Sequence, residues 1–80
     1  MSEGILKNVL HTKYFDNGLK RQEGNTFNGN KEGKWIEWYE NGQKWKQGRF
    51  KKEKKDGKWI TWNENGQIIS ERVYKKGEKI

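Results

Sequence analysis

The sequence contains no cysteine, no proline and no alanine, and it has one histidine and one methionine. Without cysteine there are no disulfides and no cysteine-ligated zinc. Without alanine, and with ten glycines, the chain is a poor helix former. No apolar run approaches the ~20 residues of a membrane span. Residues 1–10 also lack the continuous apolar core of a signal peptide, so the cytoplasm is the expected location. A chain of 80 residues makes at most one small domain. Such a domain buries only about 60–65% of its unfolded surface, so marginal stability is expected without unusual devices.

What is present is charge and rings. Hydrophobic residues make up 29% of the chain, and five Trp, three Tyr and three Phe supply a large part of them. Low hydrophobicity with high charge is a signature of disorder, but disordered chains are poor in aromatics. A folded domain is therefore expected. The net charge is +7, with a pI near 9.7. The excess is concentrated in residues 33–56, with eight basic against four acidic side chains. A basic centre suits an acidic protein, a nucleic acid or an anionic membrane surface.

The organising feature is a repeat. Gly33-Lys34-Trp35-Ile36-Glu37-Trp38-Tyr39-Glu40-Asn41-Gly42-Gln43 returns 24 residues later as Gly57-Lys58-Trp59-Ile60-Thr61-Trp62-Asn63-Glu64-Asn65-Gly66-Gln67. A degenerate copy, Tyr14-Phe15-Asp16-Asn17-Gly18, lies 24 residues earlier. The chain divides into a leader, 1–8, and three units, 9–32, 33–56 and 57–80. Unit one is the most diverged, as capping repeats often are. The leader segment Ile5–Leu10 is expected to begin a strand.

Each unit reads as a β-hairpin. Asn17-Gly18, Asn41-Gly42 and Asn65-Gly66 are expected to form two-residue type I′ turns, with φ > 0 at both residues. The resulting register pairs Glu40 with Gln43, Tyr39 with Lys44, Trp38 with Trp45, Glu37 with Lys46, Ile36 with Gln47 and Trp35 with Gly48. It also pairs Tyr14 with Arg21 and Trp62 with Ile69. Trp35 should shield Gly48, and His11 should lie over Gly24 in the same way. Between hairpins, 28–33 and 51–57 are polar, glycine-punctuated turns. Phe27 lies three residues after its Gly and Phe50 two, so a bulge is expected in the first linker. Alternation puts Ile36, Trp38, Trp45, Ile60, Trp62, Ile69 and Val73 on one face. Trp35, Tyr39, Phe50, Trp59, Ile68 and Tyr74 fall on the other. With rings on both faces, the pattern predicts an all-β, single-layer antiparallel meander of six or seven strands.

The unit G-K-W-x-x-W/Y-x-E-N-G-Q/K resembles the MORN-type repeat, and more closely the bacterial variant found in YwqK-type antitoxins. Gly33, Trp35, Trp38, Tyr39, Asn41, Gly42, Gly48, Asp56, Gly57, Trp59, Trp62, Asn65 and Gly66 carry the resemblance, which spans about residues 14–80. It implies consecutive hairpins in an elongated sheet and a scaffold role rather than catalysis. Three positions depart from the pattern. His11 stands in place of Trp35 and Trp59, Asn63 in place of Tyr39, and Arg72 in place of Gly48.

Catalytic chemistry finds no foothold. His11 has no positioned partners in sequence, and Ser2 and Ser70 have no neighbouring His and Asp pattern. Gly24-x4-Gly29 has phosphate-loop spacing but lacks the following Lys-Ser/Thr. No metal ligand set and no cofactor motif is present. The expected activity is binding. Trp38 and Trp45, ringed by Lys44, Lys46 and Arg49, with Lys51, Lys52, Lys54 and Lys55 in the following turn, form the candidate partner site. Asn17, Gly18, Asn41, Gly42, Asn65, Gly66, Trp35, Gly48 and Trp59 are the structural counterpart. The leading partner is another protein with an acidic surface, which the antitoxin resemblance implies is a toxin or nuclease-type enzyme held inhibited. Nucleic acid bound by basic and aromatic side chains is the second reading, and an anionic lipid surface the third.

Overall fold

The computed structural model describes residues 7–80. The seven strands are β1 (Asn8–Tyr14), β2 (Lys20–Phe27), β3 (Asn30–Trp38), β4 (Lys44–Lys51), β5 (Lys54–Trp62), β6 (Ile68–Lys75) and β7 (Glu78–Lys79). They form one antiparallel sheet in sequence order, with dimensions of 50 × 35 × 10 Å. The smallest dimension is that of one layer. Of the leader, Lys7 and the start of β1 are described, and Ile5 and Leu6 lie outside the described residues.

The Asn-Gly turns differ from expectation. Tyr39 N donates to Gln43 O (2.8 Å) and Gly42 N to Tyr39 O (3.0 Å), enclosing three loop residues, not two. Only Gly42 has positive φ, +91°. A three-residue loop of this kind is a type I turn followed by one left-handed residue. The loop adds one residue, and a bulge in the returning strand removes the offset. Trp38 faces Lys44, Glu37 faces Lys46, and Trp45 is the bulged residue between. The expected Trp38–Trp45 pair is therefore absent, as are Tyr39–Lys44 and Glu40–Gln43. Tyr14 likewise faces Lys20, not Arg21, and Trp62 faces Ile68, not Ile69. Beyond the bulge the expected pairs form: Glu37–Lys46, Ile36–Gln47 and Trp35–Gly48.

Type I′ geometry occurs instead at the opposite sheet edge. Asn28-Gly29 (φ 52°, 86°), Lys52-Glu53 (51°, 72°) and Lys76-Gly77 (52°, 86°) close the connections β2–β3, β4–β5 and β6–β7. The expected bulge in the first linker is present, since Gly24 faces Trp35 but Asn25 faces Glu32. The second linker has one too, because Gln47 faces Ile60 while Arg49 faces Asp56. The displaced Phe27 therefore has another origin. Thr26 occupies the place of Phe50 and Tyr74, and Phe27 sits one residue further along, opposite Asn30.

The Asn of the first two Asn-Gly loops, Asn17 and Asn41, serves as a clamp. Asn41 Oδ1 accepts from Gln43 N, and Asn41 Nδ2 reaches the next hairpin to donate to Glu64 O (both 2.9 Å). Asn17 does the same with Leu19 N and Glu40 O. Tyr39 Oη adds a parallel bond to Trp62 O (2.7 Å). The turn edge is thus laced by side chains at the repeat interval.

The core is two indoles. Trp35 (6% exposed) and Trp59 (8%) are the buried apolar side chains among the described residues. Each leans onto the preceding strand. A Cβ on Gly24 would lie 2.0 Å from the Trp35 ring, and one on Gly48 2.0 Å from Trp59. Trp35 therefore covers Gly24, not its strand partner Gly48, and His11 does not lie over Gly24. His11 Nε2 instead sits 2.9 Å from Thr26 Oγ1. Trp35 Nε1 donates to Asn25 O (2.9 Å) and Trp59 Nε1 to Arg49 O (3.1 Å), at the residues where the bulges interrupt the ladder. Phe50 stands edge-on between the indoles, 6.2 Å from Trp35 and 5.1 Å from Trp59, and Tyr74 continues the column. Arg72, at the position of Gly24 and Gly48, is exposed and faces Trp59 across the β5–β6 ladder.

Candidate binding surface

The bulge decides what surrounds Trp45. Its ring is 37% exposed and lies 6.1 Å from Tyr39, a residue that strict alternation put on the other face. Lys46 Nζ sits 4.1 Å above the Trp45 ring. Trp38, Tyr39 and Trp45 line an open hollow of about 570 Å³ with Phe15, Lys13 and Arg21 of unit one, and Glu37, Glu40 and Glu64 line it too. Lys44 is not part of that hollow. Its ammonium lies 5.9 Å from the Trp62 ring and donates to Gln47 Oε1 at 2.9 Å. Trp38 borders both groups, since it also lines the smaller depression that holds Lys44 and Trp62.

Arg49 lies about 13 Å of strand away from Trp45, at ~3.3 Å per residue. It faces Lys34 on one side and Asp56 on the other. Lys51, Lys52, Lys54 and Lys55 lie further still, at the type I′ turn edge. The expected site therefore separates into an aromatic hollow near the Asn-Gly turns and a lysine edge at the far end of the strands.

Two further lysines join that edge, Lys75 and Lys76, which with the first four line one hollow of about 430 Å³. They stand 24 residues after Lys51 and Lys52, and the sequence reading missed them although the repeat interval could have located them. The same interval joins Arg21 to Trp45, the bulged residues of β2 and β4, and Lys31 to Lys55.

Ammonium groups over ring faces recur along the sheet. Lys31 lies 5.1 Å from the Trp35 ring and 5.0 Å from Phe50. Lys55 lies 5.0 Å from Trp59 and 4.9 Å from Tyr74. Each ammonium is attracted to the ring face by the ring quadrupole. Among the described residues the displaced carboxyl is Glu23, which lies outside both hollows. Its pKa is lowered first by a hydrogen bond from Lys20 (ion pair, 3.1 Å) and then by one from Thr12. Among the described residues no group of three His, Asp or Glu side chains could hold a metal ion.

Hairpins closed by Asn-Gly loops, two of them with a Trp laid over a Gly of the preceding strand, coincide with a known repeat. A family described as MORN repeat variant matches residues 31–52 and 55–76, more than half of the chain. The chain belongs to the MORN repeat variant family. Each matched segment runs from a ring-seated lysine, Lys31 or Lys55, through one hairpin to Lys52 or Lys76. The two MORN units are thus β3–β4 and β5–β6. No curated protein and no solved structure matches the chain.

Proposed function

We propose that this MORN repeat variant is a non-catalytic module that binds an acidic face of another protein and holds that protein inhibited. Membership of the repeat family points to a binding module, for a protein or a membrane lipid. The observation that carries the acidic-protein reading is the seating of Lys31, Lys46 and Lys55 over aromatic rings. Free lysines lose rotamer freedom on binding, whereas seated ones have lost part of it already. A rigid plate of placed ammonium groups suits a fixed pattern of carboxylates on a folded partner. Such a plate is also the usual setting for an interface centre, with Trp45 as the exposed ring.

The inhibitory role is supported by the resemblance of units two and three to YwqK-type antitoxins, an analogy at the level of the repeat. Its target would be a toxin or a nuclease-type enzyme. The test is affinity capture from the native host, with identification of what is retained. A bound protein whose activity falls on addition of the MORN protein is the expected result. Retention of nucleic acid or lipid alone would overturn the reading. A gel shift with random single- and double-stranded DNA and RNA at low salt separates the nucleic-acid case, because phosphate binding falls steeply with salt.

A further inference from the structure

We infer that the lysine hollow between the β4–β5 and β6–β7 turns takes an extended, carboxylate-rich segment of the partner. The inference rests on the acidic-protein reading and adds a second docking point, distant from Trp45. Both turns have the same type I′ form, with Lys52 (φ 51°) and Lys76 (φ 52°) at the equivalent corner. They are two strands apart, which is about 9.6 Å. Lys51 and Lys75 precede these corners, and all four line one hollow.

The hollow has fixed walls and little opposing charge. Lys55 is seated against Trp59 and Tyr74, and its carbonyl accepts from Gly77 N (2.9 Å). The Lys54 stem lies against Gly77, with its Cβ 3.5 Å from where a Gly77 Cβ would stand. Glu53, the acidic residue within the lysine run, points elsewhere. Its Oε2 accepts from Lys31 N at 2.7 Å, across the neighbouring connection. Asp56 is the one carboxylate lining the hollow. Among the described residues the ion pairs are Lys20–Glu23 and Lys58–Glu71, and neither uses a lysine of this group. Crowded like charges repel, and a polyanion laid across them relieves that repulsion.

The rings decide which polyanion. Single-stranded nucleic acid is held by bases stacked on open aromatic faces. Among the described residues no aromatic one lines the lysine hollow, so it offers charge without a stacking platform. An extended peptide needs none. Its same-side carboxylates recur every ~6.7 Å, and flexible lysine stems span the difference to the turn spacing.

The experiment is fluorescence anisotropy of a labelled octaglutamate peptide with the whole protein, at low and physiological salt. Oligo-dT of equal charge is the comparison probe. Octaglutamate should bind more tightly than oligo-dT, and Lys52→Glu/Lys76→Glu should weaken it about tenfold or more. Lys7→Glu/Lys34→Glu, with the same change of net charge elsewhere, should weaken it far less. Equal weakening by both pairs would overturn the hollow and leave the acidic-partner reading standing. Failure of the wild-type protein to bind octaglutamate at low salt would overturn both. Tighter binding of oligo-dT, lost in Lys52→Glu/Lys76→Glu, would make the occupant a phosphate chain and overturn the inference.

Discussion

The indole of Trp59 lies where a side chain on Gly48 would have to be, with ring atoms 2.0 Å from an added Cβ. Ring and backbone are both fixed, since Trp59 Nε1 is bonded to Arg49 O and the ring is wedged against Phe50. Gly48→Ala must therefore expel the indole. Overpacking of this kind costs roughly 1–3 kcal/mol, and exposing the ring raises the loss towards the upper end. Urea titration should show that loss together with a red-shifted Trp emission. Arg72→Ala, at the exposed equivalent, should change stability by less than about 0.5 kcal/mol.

Asn41 gives a second contrast. If its role were to supply positive φ, Asn41→Gly would be harmless. Because it clamps Glu64 O and caps Gln43 N, Asn41→Gly and Asn41→Ala should each cost about 1–2 kcal/mol. Asn41→Asp keeps the acceptor and loses the donor, so its melting temperature should fall between those of wild type and alanine. A melting temperature for Asn41→Gly equal to wild type would refute the clamp.

Glu53 sits at φ +72°, where Gly29 and Gly77 stand in the equivalent turns. A non-glycine residue there costs roughly 1–2 kcal/mol, offset in part by the bond from Lys31 N. Glu53→Ala keeps the strain and loses the bond. Glu53→Gly loses both. Thermal melts should therefore rank Glu53→Gly above Glu53→Ala by about 1 kcal/mol.

Glu23 predicts an acid dependence. Its carboxyl is held below the usual range, chiefly by Lys20 and then by Thr12. The unfolded value is about 4.3. A depressed folded value gives stabilisation that is complete above the unfolded value and is lost as pH falls through the folded one. Melting temperature should fall less for Glu23→Gln than for wild type on going below pH 4. Carboxyl NMR titration should place Glu23 below the ordinary glutamate value.

The hairpin count, the single layer and the inner register were legible because the 24-residue repeat and period-two alternation both act over whole strands. The turn type was not. Asn-Gly fits type I′ and also a type I turn with a left-handed third residue, and sequence does not separate them. Every error near Trp45 follows from that one residue of loop length, which the bulge then absorbs. The direction of the Trp35 and Trp59 rings was hidden for another reason. Gly48 has a Trp on both neighbouring strands, and only the linker bulge, by freeing Arg49 O for Trp59 Nε1, decides which one covers it.

Trp35 and Trp45 separate folding from binding. Trp35 is buried at 6% exposure, so Trp35→Ala should cost about 3–5 kcal/mol and abolish partner capture through loss of structure. Trp45 is 37% exposed and touches Tyr39 from a bulge, so Trp45→Ala should cost only about 1 kcal/mol. Its loss should nevertheless weaken capture of the partner, because an exposed ring in a hollow is what a partner would cover. Lys46→Glu removes the ammonium above that ring and should weaken capture with the fold intact. Arg49→Glu, four residues along the strand, should have the smaller effect. Trp38→Ala should lower both stability and capture, since Trp38 is half-buried and borders both depressions. Circular dichroism melts alongside capture assays distinguish these outcomes. If Trp45→Ala and Lys46→Glu fold normally and retain wild-type capture, the aromatic hollow is not the contact surface, and the exposed indole serves only to fill the bulge.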